Sequence, residues 1–248
     1  MKMNIFKIEK TNTHNVINLL GFRIKLKKQK FSHIHIDDGN VVKIDSSVNK
    51  NKLKLNVRGK NNRVIIGNVA IVEELNISIY AENSTLVIGK DCGFRSLQIV
   101  MGADNCNAGL LKEHELRIGD RVSIEGAFIG AVCGNTKLLI GDDCMFSNHI
   151  TIFNADSHPI FQKGTKTIIN RSKDLLIGRH CWLGKNVTIL KNTVLPNNTI
   201  VGCGSIVGGR AFKGENTVIA GNPAKVVKQD VDWHMDGSGD YINNEVLL

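Results

Sequence analysis

Residues 177–224 constrain the fold more than any other part of the chain, because they divide into eight hexads: IGRHCW, LGKNVT, ILKNTV, LPNNTI, VGCGSI, VGGRAF, KGENTV and IAGNPA. The first position is aliphatic in seven of the eight, Lys213 being the exception, and the second is Gly in five. The fifth is small or β-branched in every hexad except the last, where it is Pro223. An α-helix repeats at 3.6 residues and a strand at two, so neither explains a phase kept over eight blocks. A run of short sandwich strands would let that phase slip. A parallel β-helix fits: each hexad forms one flat side, and three sides close a coil of about eighteen residues. Coils then stack at the ordinary strand spacing of about 4.8 Å. The aliphatic first residue and the small fifth residue point inward. Gly at the second position suits a corner with unusual φ/ψ.

The Ile-Gly pair that opens a coil recurs upstream at Ile66, Ile88, Ile118, Ile140 and Ile177, at spacings of 22, 30, 22 and 37. With eighteen or thirty-six as the bare count, each surplus is expected to leave the coil as a loop. Residues 100–115 break the pattern and suggest a corner loop. The largest interruption follows His158, and a loop is expected over 158–174; long loops on rigid solenoids commonly carry function. The domain reading is therefore a basic lead-in over 1–40, a β-helix over 41–225, and a cap and tail over 226–248. In the lead-in, Phe22, Ile24 and Leu26, then Phe31, His33 and His35, alternate as short strands do. His33 and His35 suit a strand face better than a metal pair. The segment VVKQDVDWHMD, from Val226, suits either a short capping helix or an extended arm over the open coil end.

The net charge is +9 and the pI about 9.3. A basic chain can meet nucleic acid, an anionic membrane or an acidic substrate, but no basic patch interleaved with base-stacking aromatics is visible. Of the six cysteines, Cys92, Cys144 and Cys181 occupy the small fifth slot, Cys106, Cys133 and Cys203 lie elsewhere, and none forms a CxxC pair. They read as core thiols of a reducing compartment, without a structural zinc site. Lys7, Glu9 and Lys10 interrupt any signal-peptide core, and no apolar run reaches the ~20 residues of a membrane span. The expectation is a cytoplasmic, soluble protein.

Three segments taken in order, IGDDCMFSNHITIFNADSHPI (140–160), SKDLLIGRHCWLGKNVTILKN (172–192) and AGNPAKVVK (220–228), resemble the left-handed β-helix, hexapeptide-repeat acyltransferases. That group includes maltose and galactoside acetyltransferases and the O-acetyltransferases of capsular sialic-acid polymers, and the chain is most similar to bacterial surface-polysaccharide O-acetyltransferases. The left hand of the coil rests on this resemblance alone, since strand physics favours right-handed crossovers. The resemblance implies a homotrimer with active sites between neighbouring prisms, acetyl-CoA as donor, and a hydroxyl of an anionic surface or capsular polysaccharide, or its sugar precursor, as acceptor. No metal, nucleic acid or membrane insertion is expected. His158 falls on the family's catalytic histidine. An imidazole can take the proton of a sugar hydroxyl attacking a thioester, then help the thiolate leave. Asp156, two residues earlier, could orient that ring or simply bond its own backbone at a corner. Trp182 falls on the family's tryptophan beside the reacting centre, where its ring could pack on a sugar or a pantetheine arm; trimer packing is the plainer role.

For acetyl-CoA the resemblance carries onto Lys185, Cys203 and Gly208, and onto Lys225 and Lys228 near the CoA phosphates. Family members often have Thr-Lys where this chain has Gly208-Gly209, which leaves Arg210 as the substitute cation. The acceptor-facing Asn of galactoside-type members lands near Glu125 or Gly126, against a galactoside acceptor. His149, His158 and His180 invite comparison with a zinc β-helix, the γ-class carbonic anhydrase, but their spacings of 9 and 22 do not match its ligands. Two other functions remain: an N-acetyltransferase of a nucleotide-linked amino sugar, and a non-catalytic β-helix used for binding or assembly.

Overall fold

The computed structural model describes the backbone of residues 6–10, 14–19 and 22–27, and residues 33–102, 112–132, 134–156 and 158–235 with their side chains. Two compact units divide near residue 34. The first is an antiparallel meander of Phe6–Lys10, His14–Leu19 and Phe22–Lys27. The alternation at Phe22, Ile24 and Leu26 falls in its third strand. Phe31 lies outside the described residues, and His35 stands in the short strand Ile34–Ile36, bonded to Asp37 at 2.8 Å.

The second unit is a β-solenoid of about eight turns. One face is a seven-stranded parallel sheet rising from Val41–Ile44 through Arg63–Ile66, Thr85–Ile88, Glu115–Ile118, Lys137–Ile140 and Leu175–Ile177 to Val194–Leu195. Strands here are short because every coil must turn after four residues or fewer, and each is fixed in register by its neighbours above and below. Ile66, Ile88, Ile118, Ile140, Ile177 and Leu195 stack inward on this face, each at most 3% exposed. Burial of each such side chain contributes about 1.5–3 kcal/mol. The other two faces share a thirteen-stranded sheet. In the upper coils they are separate strands, such as Trp182–Leu183 and Thr188–Ile189. Lower down they merge into single long strands, Val69–Tyr80 and Cys92–Gly102.

That merging corrects the expected fate of the surplus residues. Arg63 lies over Val41 and Thr85 over Arg63, 22 residues apart, whereas Val194 lies over Leu176 and Thr217 over Thr199, 18 apart. The four extra residues stay in the sheet and round off the corner between the merged faces; they do not leave as loops. The interval Thr85 to Glu115 is 30, and its further excess falls between Gly102 and Lys112, where 103–111 lie outside the described residues. Only the interval Leu138 to Leu175, 37 residues, throws a described loop. It leaves after Asn154 and returns at Lys173, whose N–H donates to the Asn154 carbonyl (3.1 Å).

The corners also differ from expectation. Among the five second-position glycines only Gly214 has positive φ. The left-handed conformation is adopted two residues later, by His180, Asn186, Gly204 and Asn216, with φ between 53° and 71°, and likewise by Asp91, Arg121 and Asp143 after the upstream Ile-Gly pairs. Glycine is needed instead because successive corners nearly touch: a Cβ on Gly119 would lie 2.7 Å from the Gly141 carbonyl carbon, and one on Gly141 would lie 2.6 Å from the Arg179 nitrogen. Cys92, Cys144 and Cys181 are buried free thiols in the fifth slot, and Cys203 is exposed; Cys106 and Cys133 lie outside the described residues.

A second inward column, at the corner between the third and first faces, is polar. The Ser84 N–H donates to Asn62 Oδ1 and the His114 N–H to Ser84 Oγ, both at 3.1 Å. The His114 ring is 1% exposed, and neither ring nitrogen has a partner among the described residues. Burial without a partner holds its pKa down at about 4.

The solenoid ends in a hairpin and an arm. Ala224–Lys228 pairs antiparallel with Thr217–Gly221 and covers the last coil edge. Residues 229–235 then run back as the extended arm, not a helix. Val231 and Asn216 exchange two hydrogen bonds, and Trp233, 6% exposed, seats against His180.

Candidate active site

The excursion is a small hairpin, bridged antiparallel at Phe161 and Ile168 and held by Gln162 N–H to Thr167 and Ile169 N–H to Ile160, both at 2.9 Å. His158 stands at its root with an exposed ring. Between the hairpin's returning limb and the upper coils lies an open groove of about 810 Å³, walled by Asp156 and Asn170 on one side and Leu190 and Lys191 on the other. It runs past Gly208 to Pro223 at the terminal hairpin. Gly208 is required there, since a Cβ would sit 2.9 Å from Leu190 Cβ.

The Asp156 carboxylate faces Lys191 and Asn170, not the His158 ring. Its Oδ2 accepts from Lys191 Nζ at 2.6 Å and from Asn170 Nδ2 at 2.8 Å. The Lys191 bond, reinforced by Asn170, holds this carboxyl below the usual Asp range, so it stays an anionic acceptor.

The remaining predicted residues occupy other parts of the prism. Trp182 lies on the second face between Met145 and Ile200. Its ring is half-buried, 5.9 Å from Trp233, and its indole N–H has no partner among the described residues. Trp233 stacks on His180 at 4.4 Å and 11°, and donates its indole N–H to the His180 carbonyl. Both His180 and His149 are left-handed corner residues. Lys185, Cys203 and Lys225 line one edge, between the second and third faces. The Gly204 N–H donates to the Lys185 carbonyl, and Lys225 pairs with Ala220, which lies over Gly202. Gly208 and Arg210 belong to the opposite edge of the third face, with His158. Lys228 sits over Val218 on the second face. One chain therefore gathers His158, Asp156, Gly208 and Arg210 along one edge, and carries Lys185, Cys203, Lys225 and Trp182 away from it.

Charge is concentrated on the same coils. Residues 158–228 hold eleven Lys and Arg but only two acids, Asp174 and Glu215, a net +9 that equals the net charge of the whole chain. Of those eleven, Lys191 alone makes an ion pair among the described residues. Lower coils neutralise theirs: Arg95 with Glu73 and Glu125, Arg121 with Asp143, Lys54 with Glu74.

Sequence reasoning missed Asn170, Lys191 and Trp233. The first two meet Asp156 only after the excursion folds back, and no spacing announces that. Trp233 did carry a signal, a lone large aromatic within a polar terminal segment.

A polysialic acid O-acetyltransferase of Neisseria meningitidis is 35% identical to this chain over 159 residues, 63% of this chain and 69% of that protein. The chain belongs to the polysialic acid O-acetyltransferase family. A second member of this family, from Escherichia coli O1:K1 / APEC, is 37% identical over 134 residues, which span 43% of its length. Among solved structures, the polysialic acid O-acetyltransferase OatWY matches with 31% identity over 86% of this chain and 93% of that one, at a TM-score of 0.54. The polySia-specific acetyltransferase NeuO matches with 25% identity over 82% and 91%, at a TM-score of 0.60. No protein-family model matches the chain. Like the other family members it is an acyltransferase on a left-handed parallel β-helix. No helix among the described residues is long and apolar enough to cross a membrane.

Proposed function

We propose that this chain transfers the acetyl group of acetyl-CoA to hydroxyls of an anionic sialic-acid polymer, with His158 as general base. The observation that carries the reading is an exposed imidazole at the root of the excursion, whose backbone is bonded to Asn170 of an open groove's wall, on coils that hold a charge of +9 with almost no acids. The neutral ring takes the hydroxyl proton as the oxygen bonds to the thioester carbon. The carbon–sulfur bond then breaks, and the imidazolium returns its proton to the departing thiolate. Acetyl-CoA is a substrate here, consumed in each turnover. Arg210, Lys225 and Lys228 suit its phosphates as mobile or forked cations, and the unpaired lysines draw the polymer in by long-range attraction.

A homotrimer completes this reading. The proposed base and groove lie on one edge of the prism, and Lys185, Cys203, Lys225 and Trp182 do not. A neighbouring copy that presents its second edge to the first copy's groove would bring both sets to one cleft.

The test is acetyl incorporation, by mass spectrometry, into sialic-acid polymer and into a neutral oligosaccharide at low and high salt. His158→Ala should lower kcat about a hundredfold or more without changing the oligomeric state. Transfer to the polymer should weaken with salt, since screening shortens to about 3 Å at 1 M. An unchanged rate in His158→Ala removes the base, and equal, salt-insensitive rates on both acceptors remove the electrostatic part.

A further inference from the structure

His158 sits at the root of a nineteen-residue surplus, 37 residues against the 18 of a plain upper coil, outside every described strand. A base must be held to within about an ångström to act. Pro159 restricts His158 to extended conformations but cannot fix where the segment lies. The carboxamide of Asn170 does. Its Oδ1 accepts the Ile160 N–H at 2.6 Å, and its Nδ2 donates to the His158 carbonyl at 2.8 Å. One side chain thus pairs with both sides of Pro159, as the peptide of a neighbouring strand would. The second Nδ2 hydrogen goes to Asp156, at 2.8 Å. Lys191, rooted in the next coil, bonds both Asp156 Oδ2 (2.6 Å) and the Asn170 carbonyl (2.8 Å). Three of the four hydrogen-bonding positions of the Asn170 amide are filled, and the assembly is tied to the rigid prism through the lysine.

We infer that Asn170, locked by Asp156 and Lys191, is a positioning residue that sets the backbone of His158 for proton transfer. This rests on the reading of His158 as the base. Aspartate cannot replace Asn170: it loses both donated bonds and sets a second carboxylate against Asp156. Arginine can replace Lys191 in part, because it keeps the charge and the donors.

The variants Asn170→Ala, Asn170→Asp, Lys191→Met and Lys191→Arg are assayed with acetyl-CoA and sialic-acid polymer, beside His158→Ala. Amide hydrogen exchange is followed in the same proteins. Asn170→Ala, Asn170→Asp and Lys191→Met should lose about tenfold to a hundredfold in kcat, with the KM for acetyl-CoA changed far less, and Lys191→Arg should recover most of the loss. In Asn170→Ala the Ile160 amide should exchange faster, while the Gln162 and Ile169 amides, bonded within the excursion, keep their protection. A kcat within about twofold of wild type despite faster Ile160 exchange would overturn the inference. So would loss of protection at Gln162 and Ile169, which would assign Asn170 to folding of the excursion. A fully active His158→Ala would instead overturn the base itself, with Ile160 exchange still reporting on the clamp.

Discussion

Mild acid should weaken this fold through a residue far from the groove. His114 is buried in the prism, and its two ring nitrogens have no partner among the described residues. Its pKa is about 4 in the native state against an ordinary value of 6.5. Between those values the unfolded chain binds a proton that the native chain refuses, so unfolding takes up a proton and stability falls as pH falls. The stabilisation is complete above 6.5, is lost progressively below it, and is gone below about 4. At pH 5 the deficit is roughly 1.5 pH units at about 1.36 kcal/mol each, or about 2 kcal/mol. With a urea m-value of about 2–3 kcal/mol/M, the midpoint should move by about 0.7–1 M between pH 7.5 and 5. The carboxylates with lowered pKa values, such as Asp143 and Glu115, titrate below this window. His114→Leu removes the titrating group and replaces an unsatisfied polar ring with an apolar one. Urea unfolding of both proteins at both pH values, at one fixed protomer concentration, checks the assignment. Wild type should lose about 2 kcal/mol more than the variant on acidification. Equal losses would show that the His114 ring has a partner or water access in solution, and the reasoning would be wrong.

Gly141→Ala places a methyl 2.6 Å from the next coil's backbone and should cost about 1–3 kcal/mol. Gly93→Ala, which meets nothing within 4 Å, should be neutral or stabilise by up to about 1 kcal/mol; equal urea midpoints for the two variants would refute the close-approach account of the glycine column. Trp233→Ala should free the terminal arm and leave Trp182 as the only tryptophan of the two in the chain. Its emission should then shift to the red and become accessible to iodide, and unchanged quenching would show that Trp233 does not cover it.

The architecture was legible where the sequence keeps one phase without a slip. In 177–224 the hexad sets the phase, and Ile177, Leu183, Ile189, Leu195, Val201, Val207 and Ile219 all point inward as the phase demands, each at most 3% exposed. Lower down the rule changes silently from 18 to 22 residues per coil. Nothing in LNISIYAENSTLVIG marks four extra residues as sheet, because a residue added to a long strand and a residue added to a loop need the same local composition. The glycine column misled for a related reason. Glycine serves both positive φ and close approach, and which one applies depends on the coil above, which sequence alone does not place. Most left-handed corners are filled by Asn, Asp, His and Arg, so the abundance of Asn is itself a signal of tight corners, as its tolerance of that conformation leads one to expect.

The sequence names candidate residues but does not say where on one prism each of them stands. His158, Trp182, Lys185 and Lys225 fall in order along the chain, and a linear reading joins them into one centre. Folding distributes them by which side of the coil their hexad forms: Trp182 stands on the second face, Lys185 and Cys203 on the edge that follows it, and His158 where a coil fails to close. Residues on opposite edges of a face cannot meet on one straight prism, however many coils are stacked, since every coil repeats the same three sides in register. Two consequences follow for the proposed chemistry. If acetyl transfer needs the tryptophan and the histidine together, an isolated protomer should be inactive, and activity should fall with dilution in step with the loss of the oligomer. If dilution separates the copies and activity per protomer stays constant, the residues on the second face and its edge are not part of the centre, and the excursion groove must hold both substrates alone.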